Sequence, residues 1–285
     1  MIDPLLYHWV TGFAVVLGLL LGSFLNVCIA RMPEDRSIVS PPSHCPACGN
    51  GIRPWDNIPV ISWVILRARC RDCGTSISSL YPTIELLTGL LSWLLWRRMV
   101  PDADSMDPAN LTAFGVSLVF VCMLLTQAYI DIRHFIIPDS LSIYAVPVGI
   151  MAAVLQESMG VTGAPTWQQS VMGAVAGGGT LGLVMVVFLV VRRKEGMGMG
   201  DVKLLAMIGA FLGAWPAIPF VIFVSSVIGA LVGLPMALLR KDSLGMALPY
   251  GPFLALAAIL WLLHGPELVD LWYPTPPPEM QAGLR

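Results

Sequence analysis

The sequence predicts an all-α polytopic membrane protein with about eight transmembrane helices and a small cytoplasmic loop domain. Three observations predict it. Of the 285 residues, 56% are hydrophobic and only 12% charged, about half the charged share of a typical soluble domain. The apolar residues recur in runs, most of them near the roughly 20 residues that a helix needs to cross hydrocarbon. Between the first two runs lies a polar, Arg-rich stretch that holds four of the six cysteines.

Taken in order, the runs fall near 9–30, 82–96, 111–130, 141–155, 171–191, 204–214, 217–239 and 249–263. Those beginning at Leu141 and Leu204 are short, and the latter reads as a tilted or incomplete span. The first run lacks a basic stretch before Trp9 and continues past a signal-peptide core without a small-x-small cleavage pattern, so it is expected to be retained. Residues 264–285 are expected to form an exposed tail, stiffened by Tyr273-Pro274-Thr275-Pro276-Pro277-Pro278.

A net charge of −2 says little, but the basic residues are segregated. Residues 31–80 carry Arg31, Arg36, Arg53, Arg67, Arg69 and Arg71. Arg133, then Arg192, Arg193, Lys194 and Lys203, then Arg240 and Lys241 follow in alternate connections, which places most of the 16 on one face. The positive-inside rule makes that face cytoplasmic and puts both termini on the periplasmic side. Arg97 and Arg98 dissent, and are expected to snorkel to the headgroups.

Cys45-Pro46-Ala47-Cys48 and Cys70-Arg71-Asp72-Cys73 are each followed by glycine. A C-x₂-C pair sets two thiolates on one tight turn, and two such turns complete a tetrahedral Zn²⁺ shell. Paired disulfides are the alternative, disfavoured in a reducing cytoplasm. With all four positions filled by protein, Zn²⁺ bound by Cys45, Cys48, Cys70 and Cys73 would be structural. Cys28 and Cys122, inside apolar runs, read as small packing residues.

Two carboxylates stand at run edges on the cytoplasmic face. Asp131 ends the third run, where the helix dipole is unfavourable to an anion and where capping cannot explain it, so a functional role is expected. Asp201 follows Gly196-Met197-Gly198-Met199-Gly200 and could N-cap the sixth helix. The alternating glycines also suggest a bare, strand-like backbone open to an extended substrate. Two carboxylates brought together can share a proton and activate water, the chemistry of an aspartic peptidase. Asp139, near the expected start of the fourth helix, is the reserve for Asp131, and Asp242 reads as solvated. Glu85, in the first turn of the second helix after Pro82, is open to a structural or a functional reading.

Other classes fit less well. The glycines fail the G-x-G-x-x-G test because Asp stands at 201. Gly177-Gly178-Gly179 lies inside an apolar run, where small residues serve helix packing. No G-x-S-x-G elbow is present. A transporter would place paired acids near the midplane, and a non-catalytic zinc adaptor would leave Asp131 and the glycine run unexplained.

The chain resembles the type IV prepilin peptidases, the leader peptidase/N-methyltransferase family of GxGD-type membrane aspartyl proteases. The resemblance rests on Gly22-Ser23-Phe24-Leu25-Asn26-Val27 with Arg31-Met32-Pro33, on Pro42-Ser43-His44-Cys45-Pro46 and the second cysteine pair, and on Asn57-Ile58-Pro59. It continues through Ile77-Ser78-Ser79-Leu80-Tyr81-Pro82 leading to Glu85, Ile130-Asp131, Ile137-Pro138-Asp139 and Glu195 to Lys203. Arg133 departs from the pattern, where many relatives carry Asp.

The resemblance implies cleavage of the basic leader from prepilins and pseudopilins, partners met within the lipid bilayer of the bacterial inner membrane. It implies methylation of the new N-terminal amine with S-adenosylmethionine as co-substrate. Asp131 and Asp201 would be the catalytic pair, and Glu85 would belong to methyl transfer. Residues 1–100 would carry the methyltransferase-associated part and 101–263 the peptidase helices. No nucleic-acid partner is expected.

Overall fold

The computed structural model describes residues 3–193, 198–239 and 248–272. Lys194, Glu195, Gly196 and Met197, then Arg240, Lys241 and Asp242, and the proline-rich segment from Tyr273 onward lie outside them. Among the described residues the regular structure is helical: α1 (Pro4–Arg31), a short α2 (Ile61–Ile65), α3 (Leu80–Met99), α4 (Pro108–His134), α5 (Val146–Ser158), α6 (Trp167–Arg192), α7 (Met199–Leu212), α8 (Ala217–Leu239) and α9 (Gly251–Trp272).

Local sequence sets most of the helix ends. Asp3 caps α1 by accepting from the Leu5 N–H at 2.8 Å, with Pro4 at the first helical position. Asp107 caps α4 in the same way through Asn110, again ahead of a proline. Thr166 and Gln169 form a reciprocal capping box at the start of α6. Phe135 closes α4 with φ of 55°, its N–H returning to the Asp131 carbonyl.

All eight predicted runs are helices, but they are not eight equal spans. Four helical stretches, Pro4–Glu34, Pro108–His134, Trp167–Val191 and Ala217–Met236, are long and apolar enough to cross a membrane. By contrast α7 has 14 residues and α5 has 13, which at 1.5 Å per residue gives about 20 Å against a hydrocarbon core of about 30 Å. The fourth helix also begins later than expected. Ile143–Ala145 is a 3₁₀ turn and α5 proper starts at Val146, with Pro147 in its first turn, so Asp139 lies in a connection. At the other end α9 continues to Trp272, so the expected break near residue 264 is not there.

Shortness goes with centrality. Every residue of α7 from Leu204 to Phe211 is buried, and α7 packs among α5, α6, α8 and α9. The central helix α4 is likewise mostly inside, while α6 presents Val175, Leu183, Val187, Val190 and Val191 outward. A helix surrounded by other helices need not meet lipid along its length, whereas α6 must offer hydrocarbon an apolar surface.

Two helix pairs approach at backbone contact. Along α6 and α7, a Cβ added at Gly173 or at Gly209 would overlap the carbonyl of the other, and one at Gly177 would overlap that of Leu205. Along α1 and α3, a Cβ at Gly18 would lie 2.5 Å from that of Ser92, and one at Gly22 2.7 Å from the Glu85 Cα. Small residues at membrane helix contacts allow this dispersion-rich packing. The α1/α3 pair is pinned by Ser92 donating to the Ala14 carbonyl at 2.7 Å and Trp96 to the Thr11 hydroxyl at 2.9 Å. At the far end the dissenting Arg98 has a carboxylate partner, Glu267 of α9, at 2.5 Å.

Gly209→Ala should force α6 and α7 apart and cost about 1–3 kcal/mol, the usual penalty for overpacking. Gly179→Ala, on the facing helix α6, meets open space, and should leave stability unchanged or raised through better helix propensity. Melting in detergent checks both, and equal behaviour of the two variants would contradict the packing.

Candidate active site

The four cysteines of the loop come together as the spacing predicts. Their sulfurs all lie within 4.8 Å of one another, with Cys45 Sγ and Cys73 Sγ 3.8 Å apart, and none is in a disulfide. Four thiolates at about 2.3 Å from a tetrahedral Zn²⁺ have sulfurs about 3.8 Å apart, so the cluster fits the ion. Each knuckle is built alike. The Gly49 N–H returns to the Cys45 carbonyl at 2.8 Å and the Gly74 N–H to that of Cys70 at 2.9 Å. Both glycines have φ above 70°, where a side chain would be strained.

The thiols shift one another's ionisation in both directions. Thr75, through side chain and backbone, draws Cys73 down to about 6. Asn50 pulls Cys48 down by a backbone hydrogen bond, yet desolvation and the thiols of Cys45 and Cys73 push it up to about 11. Four thiolates in one cluster need a cation, and a bound dication reverses this penalty.

The loop is also tied together by ion pairs and anchored at Glu85. Arg71 grips Asp56 with two parallel hydrogen bonds of 2.8 and 2.5 Å, and this contact holds Asp56 below its usual range. The Glu85 carboxylate on α3 is buried and accepts the Val60 N–H at 2.7 Å. Val60 has φ of 62° and ψ of −51°, strained for a β-branched residue and worth of order 1–3 kcal/mol. Glu85 therefore fastens the loop to the membrane helices, which gives its structural reading a definite contact.

At the same end of the bundle, the last turn of α4 meets the first turns of α7 and α9. Asp131 is buried and its Oδ2 accepts the Gly251 N–H, the opening residue of α9, at 3.0 Å. The expectation that capping could not account for Asp131 thus needs correction. It does not cap its own helix, but it satisfies the free N–H and positive end of another. Gly251 is required for this approach, since a Cβ there would sit 2.6 Å from Oδ2.

Asp201 lies in the first turn of α7, near enough for the Asp131 charge to act on it. The N-cap of α7 is Gly198, not Asp201. Only Gly198 of the described glycines is extended, because Met199 and Gly200 already belong to the helix. Gly200 receives the side chain of Ile137, 3.1 Å from where a Cβ would be, and the same Ile137 reaches within 3.2 Å of the Gly251 position. Its bareness therefore serves helix convergence. Asp139 is exposed and pairs with Lys203 of α7 at 2.6 Å, which ties the connection after α4 to the same corner.

Two participants were missed in the sequence. Gly251 stands in Pro249-Tyr250-Gly251-Pro252, and a glycine between prolines at a helix start was the available signal. Gln127, one turn before Asp131, is buried with its side-chain carbonyl unpartnered among the described residues. Both point to this corner.

Asp131, buried, and Asp201, half-buried, at converging helix ends, together with a loop cluster of four cysteines that could hold a metal, define a helical membrane protein with a candidate carboxylate site. Comparison with known proteins narrows the class. Residues 16–99 match the bacterial peptidase A24 N-terminal domain and residues 118–234 the type IV leader peptidase family. A prepilin leader peptidase/N-methyltransferase of Stutzerimonas stutzeri is 37% identical, covering 90% of this chain and 91% of its own. That of Aeromonas hydrophila is 36% identical over 95% of each, and that of Pseudomonas aeruginosa 35% over 89% and 90%. The chain belongs to the type IV leader peptidase family. No solved structure matches it significantly.

Purified without chelators, the protein should contain about one Zn²⁺ per chain, and Cys45→Ser with Cys70→Ser should lower both metal content and folded yield. Metal analysis beside a thiol count checks this; metal-free protein with disulfides inside the pairs would overturn it.

Proposed function

We propose that this chain removes the leader peptide from type IV prepilins and pseudopilins at the cytoplasmic face of the bacterial inner membrane, and methylates the new N-terminal amine. The peptidase reading rests on one arrangement, Asp131 held by the α9 N-terminus within electrostatic reach of Asp201. Family membership supports the substrate class. The orientation follows from the basic residues, which share the face of the loop and of this corner.

In the proposed reaction, one ionised aspartate takes a proton from water as its oxygen attacks the scissile carbonyl carbon. The other, protonated, donates to the carbonyl oxygen. The tetrahedral diol then collapses: one hydroxyl returns a proton to the second aspartate, now ionised, the C–N bond breaks, and the departing amine receives the proton taken from water. The last turn of α4 and the first of α7 hold the two carboxylates on different helices. Gly251 fixes Asp131 and Ile137 sets the spacing of the helix starts.

Residues 1–100 would support methyl transfer, and the separate match of 16–99 agrees with that division. S-adenosylmethionine, when bound, supplies a methyl group activated by a sulfonium sulfur. The chain's contribution is a loop kept rigid by structural Zn²⁺ and fastened at Glu85, next to a cavity of about 300 Å³ between α1 and the loop.

Either Asp131→Asn or Asp201→Asn should lower cleavage of a purified prepilin by at least about 10², the scale of general acid–base catalysis. The double variant should be no worse than either single one, because the pair acts as a unit. Asp139→Asn loses one exposed ion pair and should retain most activity. Normal cleavage by Asp131→Asn with loss in Asp139→Asn would show that the wrong partner of Asp201 was chosen.

Glu85→Gln keeps an acceptor for the Val60 N–H but removes the charge. Methylation of the cleaved amine should fall about tenfold or more, as expected for a lost charged interaction, with leader removal little changed. Equal loss of both activities would leave Glu85 only its structural role.

A further inference from the structure

We propose that Arg31 and the cavity it lines form the carboxylate-anchoring end of the methyl-donor site, an inference that rests on the methyl-transfer reading above. Leu20, Ser23, Phe24, Val27 and Arg31 make one face of α1 and line a cavity of about 300 Å³, closed from the other side by Ile38, Ser43 and Asn57 of the loop. That volume is at the lower end for small-molecule sites.

Arg31 is only 8% exposed. Its guanidinium donates to two neutral carbonyls, Ser37 at 3.0 Å and Pro42 at 3.5 Å. Among the described residues no carboxylate stands within ion-pairing distance of it. Arg36, Arg53 and Arg71, all far more exposed, pair with Glu34, Asp72 and Asp56. Arg67 and Arg69 are in no ion pair among the described residues but are exposed to solvent, so Arg31 alone of the loop arginines is both buried and without a carboxylate. A buried cation ordinarily has an anionic partner, and a guanidinium with five N–H donors has several left after two carbonyls. The missing negative charge is therefore expected from a ligand, and a carboxylate matches the guanidinium fork best.

The surroundings select the kind of carboxylate ligand. Ser23 lines the cavity and also bonds the Glu85 carboxylate, which lies behind the lining and holds the Val60 N–H, so the cavity itself offers the charge of Arg31 and the hydroxyls of Ser23 and Ser43. S-adenosylmethionine carries a carboxylate and a sulfonium a few bonds apart, together with an adenosyl group suited to the walls of Leu20, Phe24 and Val27.

The test is calorimetric binding of S-adenosylhomocysteine and of 5′-methylthioadenosine, which lacks the amino-acid moiety, to the full zinc-loaded chain in detergent. The unaltered protein should bind S-adenosylhomocysteine about tenfold tighter or more, and Arg31→Gln should remove that preference while leaving 5′-methylthioadenosine binding unchanged. Equal weakening toward both would make Arg31 a strut, and an unaltered preference would make it irrelevant; either overturns the assignment. Should Arg31→Gln fail to fold, a photoreactive azido-adenosyl analogue on the unaltered protein should label residues 20–43, and labelling elsewhere overturns it equally. A protein that neither binds S-adenosylhomocysteine nor methylates cleaved prepilin would bring down the methyl-transfer reading itself, whereas binding and methylation independent of Arg31 would remove only this site.

Discussion

The hydrogen bond from Gly251 to Asp131 is the contact on which the candidate-site end of the bundle depends. An α-helix ends with unsatisfied carbonyls and a negative dipole, so a buried carboxylate in its last turn is unfavourable by itself. The start of α9, with free N–H groups and a positive dipole, offsets that cost at 3.0 Å. This is only possible because residue 251 has no side chain. The same convergence brings in α7, since Ile137 fills the space above both Gly200 and Gly251. Removing the anchor would disturb three helix ends together.

The loop domain follows a different logic. It leaves most of its aliphatic side chains exposed, and is organised by four thiols, two glycine turns and the Arg71–Asp56 fork. Its attachment to the bundle runs through Glu85 and the strained Val60. A metal-stiffened loop on a charged anchor can hold a cavity against α1 without a hydrophobic core of its own. The two halves thus solve a shared problem, holding polar groups in place, by a cluster of thiols that could chelate a metal in the loop and by helix ends within the bundle.

Much of this was legible in the sequence, for reasons that differ between features. The cysteine cluster could be read because C-x₂-C spacing encodes its local geometry completely. Helix positions could be read because long apolar runs have few alternatives. Helix roles could not, since α6 and α7 are similarly apolar and only packing makes one peripheral and the other central. The start of α5 was misplaced because Asp139 and Ser140 look like caps, whereas the chain makes a further turn before Val146. Asp131 was found for a partly mistaken reason, because its cap lies 120 residues away. The glycines before Asp201 were identified, but Gly200 accommodates Ile137.

The shortness of α7 has a consequence for how water meets the carboxylates. Its 14 residues reach about 21 Å, so about 9 Å of a normal bilayer core is left uncovered along its axis. Because α5, α6, α8 and α9 enclose α7, that shortfall falls inside the bundle, where a polar helix end is tolerated when it faces protein or a water-filled cavity. With Asp201 in the opening turn, the shortfall favours a dimple of hydration at the membrane surface. Hydrolysis becomes compatible with a substrate that never leaves the lipid.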